Sequence, residues 1–150
     1  MSKIAIFAGG CFWGIQKKFE DLKNIFPGIL ETKVGYCGGF KKNPSYKQVC
    51  SGNTGHTESI KIKYNPKLIT YEKLCSFFMK IPQSTIKLKT QYKSAIFYTS
   101  KYQKTTAKKI INKYKNMNTQ IELIEYKNNF YNAEEYHQHY LKKNKLKCSS

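Results

Sequence analysis

Apolar and polar positions along the 150-residue chain switch between a two-residue and a helical period, and the switches mark its elements. Residues 3–8 form an apolar run closed by Gly9-Gly10, which reads as a strand ending in a turn. Ile15, Phe19, Leu22 and Phe26 then follow helical spacing over residues 12–26, and Pro27-Gly28 stops the segment. Residues 29–36 read as a second strand ended by Gly38-Gly39. Residues 44–50 read as a short helix with Tyr46, Val49 and Cys50 on one side. Residues 57–64 alternate, with Ile60, Ile62 and Tyr64 on one face of a half-buried strand. Thr70 is placed to cap a helix whose inner stripe is Tyr71, Leu74, Cys75 and Phe78, ended by Pro82. A strand over 94–99, a helix over 100–117, a strand over 120–126 and a closing helix over 133–143 complete the pattern.

This order of strands and helices predicts one α+β domain in two packed layers. Composition agrees: 40% hydrophobic and 15% aromatic residues are too many for a disordered basic chain and enough for a core. No apolar run is long enough to span a bilayer. The first residues read as a strand rather than a signal peptide, so a cytoplasmic location is expected. The charge complicates the picture. The chain has 27 basic residues against 9 acidic, a net +18, and every basic residue is lysine. Of this excess, +13 falls on residues 61–120, spread over several elements. Without arginine, the side chain suited to bidentate phosphate contacts, the charge reads as solvated surface rather than a nucleic-acid site.

The five cysteines, Cys11, Cys37, Cys50, Cys75 and Cys148, include no C-x-x-C pair, so zinc-ribbon and thioredoxin-type readings lack their signature. Cys75 on its helix stripe and Cys50 beside Val49 read as small buried apolar residues, and Cys37 as a small turn residue. Cys11 stands apart. It lies between a strand end and a helix start, where unpaired N–H groups and the helix dipole favour thiolate, and Gly9-Gly10 keep its sulfur accessible. By residue chemistry alone, Cys11 is equally a nucleophile or a buried thiol. Cys148 lies in the last three residues, on a tail expected to be mobile. Glu135, His137 and His139 raise a metal reading, but without a further ligand a structural role is expected, and no metal site.

Gly9-Gly10-Cys11-Phe12-Trp13-Gly14 resembles the active-site signature of the type A peptide methionine sulfoxide reductases. Further blocks resemble that family in the same order: Val34-Gly35-Tyr36-Cys37-Gly38-Gly39, Asn43-Pro44-Ser45-Tyr46 and the run from Val49 to Glu58. Thr90-Gln91-Tyr92-Lys93-Ser94 and Phe130 to Gln138 continue it, so the resemblance spans about residues 4 to 144.

The resemblance implies an α-β plait (ferredoxin-like) core with a mixed sheet over residues 1–144. It leaves residues 145–150 as a flexible tail. It implies reduction of methionine-S-sulfoxide, free or in proteins, a reaction for which these reductases are the known repair enzymes. On that resemblance Cys11 is the nucleophile, Glu58 the acid, Tyr46 and Tyr92 the hydroxyls that bind the sulfoxide oxygen. Phe12 and Trp13 form the substrate pocket, while Gly10 and His56 support the site. Cys148 is the candidate resolving thiol, thioredoxin (or dithiothreitol) the external reductant, and a monomer without metal or organic cofactor is expected. The chain departs from the family between Pro82 and Tyr92. This stretch is shorter by about four residues, and Lys87 stands where the family carries an aspartate. That departure and the lysine excess motivate a second reading, a basic binding module on a degenerate scaffold.

Overall fold

The computed structural model describes residues 1–82, 89–114 and 120–144. Lys87 and Cys148 lie outside the described residues. The chain folds as β1 (Lys3–Ala8), α1 (Phe12–Ile25), β2 (Ile29–Cys37), α2 (Tyr46–Cys50), β3 (Thr57–Tyr64) and α3 (Tyr71–Lys80). It continues as β4 (Ala95–Tyr98), α4 (Lys101–Lys113), β5 (Glu122–Glu125), β6 (Phe130–Asn132) and α5 (Tyr140–Asn144). The strands join one mixed sheet in the order β5-β4-β1-β3-β2-β6, antiparallel except for the β4–β5 pair. Helices and sheet therefore form a single α+β domain.

Side-chain alternation splits the strands between two faces. On the helical face, Ala5, Phe7, Val34, Tyr36, Ile60, Ile62 and Ile96 pack with Phe12, Ile15 and Phe19 of α1 and Leu74 and Phe78 of α3. Phe7 sits at the middle of this layer, its ring 5.6 Å from Phe19 and 4.8 Å from Phe78. Ile6, Ala8, Cys37, Ala95 and Phe97 form a smaller cluster on the other face. Helix starts follow side-chain chemistry: Thr70 and Ser100 accept the third N–H of α3 and α4, and Ser45 with Gln48 makes a reciprocal capping box on α2.

The C-terminal region differs from its sequence pattern. The helix expected over 133–143 is a 3-10 turn (Glu135–His137) and the short α5, separated by His139 at φ 54°. The unforeseen β6 precedes them and pairs with the end of β2. Gln138 extends this edge by side chain: Val34 N–H donates to its Oε1 at 2.9 Å, and its Nε2 donates to Val34 O at 2.8 Å. The amide thus occupies ladder positions that a helical backbone could not reach. Gln16 of α1 accepts His139 N–H at 2.7 Å and donates to Thr32 Oγ1 at 3.1 Å, which ties the segment to both layers.

Candidate active site

The β1–α1 turn sets the position of Cys11. Gly10 takes φ 77°, a backbone state open to glycine at little cost, and Cys11 follows in extended conformation as the N-cap residue of α1. Its side chain is half-buried and makes no cap hydrogen bond. The cap is supplied from across the sheet, because Phe12 N–H donates to Glu58 Oε1 at 3.1 Å. Glu58 lies on β3 opposite Tyr36 of β2 and is only 1% exposed. Burial pushes its carboxyl up to about 7, against the Phe12 and Gln91 hydrogen bonds that favour ionisation. Near neutral pH this group can therefore hold or release a proton.

Tyr46 and Tyr92 border the same carboxyl. Tyr46 opens α2, and Glu134 fixes it by accepting Tyr46 N–H at 3.0 Å on one oxygen and Tyr36 O–H at 2.7 Å on the other. Burial opposes ionisation of Glu134, but these bonds outweigh it and hold the carboxyl below its usual range. The Tyr46 hydroxyl is in hydrogen-bonding contact with Tyr92 and with the Cys50 thiol. Tyr92 belongs to the 3-10 turn Thr90–Tyr92, which β3 anchors through Thr57 Oγ1 donating to Thr90 O at 2.7 Å. Burial raises both phenols above their ordinary range, so each is a neutral O–H donor at physiological pH. Both also feel the field of Glu58, and Tyr92 that of Cys11.

The apolar wall is Phe12, buried with its ring 5.8 Å from Tyr36, 6.4 Å from Tyr46 and 5.3 Å from His137. Trp13 stacks on Tyr140 at 3.8 Å, and its indole N–H donates to His137 Nδ1 at 3.0 Å. A neutral imidazole accepting at Nδ1 carries its proton on Nε2. Burial lowers the His137 pKa and keeps it in that neutral form.

Cys11, Phe12, Glu58, Tyr46 and Tyr92 thus come together, with Gly10 in the turn beneath and Trp13 beside them. His56 faces elsewhere. It accepts Gly39 N–H at 3.0 Å on Nδ1 and bonds Lys41 O at 2.7 Å through Nε2, stapling the loop after β2. Cys50, expected buried, is exposed, because only Val49 of the five-residue α2 is buried. Its sulfur accepts from Gln91 Nε2 at 3.2 Å. Gln91, Cys50, Glu134 and His137 join this candidate site without being singled out for it by the sequence; Gln91 adjoins Tyr92 and Cys50 lies one helical turn after Tyr46, which is the available signal. Glu135 and His139, spaced as on one helix turn, lie in different backbone segments. Among the described residues no group of three or more His, Cys, Asp or Glu could hold a metal ion. Nor is any helix among them long and apolar enough to cross a membrane.

A thiol at a helix start, a buried carboxyl that titrates near neutrality and two neutral phenols are the kinds of group a thiol enzyme uses. Residues 3–150 match the family model described as Peptide methionine sulfoxide reductase. The chain is 42% identical to "Peptide methionine sulfoxide reductase MsrA" of Pelagibacter ubique, over 94% of this chain and 99% of that one. Mxr1 of Saccharomyces cerevisiae in reduced form superposes with a TM-score of 0.90 at 35% identity, over 99% of this chain and 88% of that one. The same Mxr1 in complex with Trx2 matches with a TM-score of 0.68 at 27% identity, over 91% and 84% of the two chains. The chain belongs to the peptide methionine sulfoxide reductase family. The binding-module reading finds no support in these likenesses.

Proposed function

We propose that the chain reduces the S epimer of methionine sulfoxide, free or within proteins, with Cys11 as nucleophile and Glu58 as acid. The carrying observation is the carboxyl of Glu58. It is buried, bonded to the amide next to Cys11, and raised to about 7, so it is partly protonated where a thiolate is also accessible. The substrate's ε-methyl lies against Phe12 and Trp13, and its oxygen takes hydrogen bonds from Tyr46 and Tyr92. Cys11 thiolate attacks the sulfoxide sulfur, and Glu58 delivers a proton to the oxygen. The substrate's sulfur–oxygen bond and the transient bond between Cys11 Sγ and the substrate sulfur both break. The oxygen, with its proton, ends on Cys11 Sγ and two electrons end on the substrate sulfur. The products are methionine and a sulfenic acid on Cys11.

Cys148 then condenses with the sulfenic acid, releasing water and forming a disulfide that thioredoxin reduces by exchange. The Mxr1 complex with Trx2 supports this recycling partner. The cycle needs no metal or organic cofactor, runs in a monomer, and suits the cytoplasm, where thioredoxin keeps thiols reduced. We also read the core as an α-β plait, supported by the strand order β4-β1-β3-β2 with α1 and α3 as crossovers. Turnover of the two separate sulfoxide epimers, first with dithiothreitol and then with thioredoxin, tests the reading. Methionine from the S epimer with either reductant is expected; no turnover of that epimer overturns it.

A further inference from the structure

We propose that Gln91 is the positioning residue of the acid, holding the Glu58 carboxyl in place and weighting it toward its ionised form. The proposal rests on Glu58 being the acid of the reaction. A primary amide has two N–H groups on one nitrogen, and those of Gln91 Nε2 have two separate acceptors. One is Glu58 Oε2 at 2.7 Å, the other Cys50 Sγ at 3.2 Å. Glu58 Oε1 meanwhile takes the Phe12 amide at 3.1 Å. Each carboxyl oxygen is therefore gripped from a different element, one by the start of α1 and one by the 3-10 turn, and the carboxyl plane cannot rotate freely. Gln91 itself is 4% exposed, so its bond to the carboxylate is not shared with solvent.

The other described groups around Glu58 do not perform this task. Tyr36 of β2, Tyr46 of α2 and Tyr92 each raise their own ionisation cost in its field, and Tyr36 spends its hydroxyl on Glu134. Cys11 stands at the start of α1 and Cys50 at the end of α2. Among the described residues, hydrogen bonds from Phe12 and Gln91 favour the charged carboxylate against burial. Without those bonds burial would hold the carboxyl protonated to a higher pH, and it would return its proton less readily. Gln91 thus keeps the group near the point where it can both give and regain a proton.

The test is the pH dependence of methionine formation in a single turnover, where the alkaline fall follows deprotonation of Glu58. Gln91→Met removes both N–H donors while keeping side-chain length. The alkaline limb should move up by about one pH unit, the scale of one lost hydrogen bond to a charged group. Gln91→Glu keeps the shape and sets a second carboxyl against the first, so the pair shares one proton and the limb should move further up. An alkaline limb that stays in place, or moves down, in both variants overturns the proposal, even if the rate falls. Glu58→Gln separates the two levels. Loss of the limb in that variant supports the acid assignment on which the proposal stands, and persistence of the limb overturns that assignment and the proposal together.

Discussion

The backbone amide of Phe12 donates to Glu58 Oε1 over 3.1 Å, which joins the residue next to the thiol directly to the buried acid. A helix N-terminus by itself favours a carboxylate. Here burial outweighs that preference and sets the carboxyl near 7. The arrangement makes proton donation possible at neutral pH and carries a measurable stability cost.

That cost has a definite sign. In the unfolded chain Glu58 loses its proton near 4.5, in the folded chain near 7. Between these values the unfolded state releases its proton first, so stability falls as pH rises through the window. Relative to Glu58→Gln, which does not titrate, the wild type should lose about 3 kcal/mol between pH 4.5 and 7.5. Urea midpoints of both proteins at the two pH values check this. The same variant should slow single-turnover reduction by about 10²–10⁴-fold, the usual range for a lost general acid.

His137 orients the Trp13 indole, which borders the pocket proposed for the substrate. Replacing it by Leu removes the Nδ1 acceptor of Trp13 while filling the space. Steady-state kinetics should show KM for a sulfoxide peptide rising roughly five-fold, the value of one ordinary hydrogen bond, with kcat changed less. Protonation of Nδ1 would have the same effect. Because burial lowers the His137 pKa, wild-type KM should stay level down through the usual histidine range and rise only below it.

The core should respond separately from the site. Phe7 is fully buried and stacks between Phe19 of α1 and Phe78 of α3. Phe7→Ala leaves a cavity under both helices and should cost about 3–5 kcal/mol in chemical denaturation. Where the variant remains folded, the pH limbs of its single-turnover rate should match those of the wild type.

Local chemistry made much of the molecule legible. The β1–α1 turn could be read because strand, glycine pair, thiol and helix are contiguous, and Thr70 announced α3 in the same way. The region after residue 126 resisted because its structure is imposed from a distance. β6 has three residues and exists by pairing with β2, and Gln138 satisfies Val34 through its side chain. The apolar spacing of Ala133, Tyr136, Tyr140 and Leu141 mimics a helix that these bonds prevent. Cys50 was misplaced because a five-residue helix offers one buried position, which Val49 takes. Cys11 stands out by its local chemistry, whereas Glu58, Tyr46 and Tyr92 are singled out only through the family resemblance; the one cue to Gln91 is its place beside Tyr92.

The central claim is that Cys11 takes the oxygen of methionine-S-sulfoxide. Its most direct test is a single turnover of the Cys148→Ser variant on the S epimer without reductant, followed by dimedone labelling and peptide mapping. The account predicts about one methionine per chain and a dimedone adduct on Cys11, the mark of a sulfenic acid. Methionine formation by the Cys11→Ser protein, or an adduct on another cysteine with Cys11 unlabelled, would contradict it.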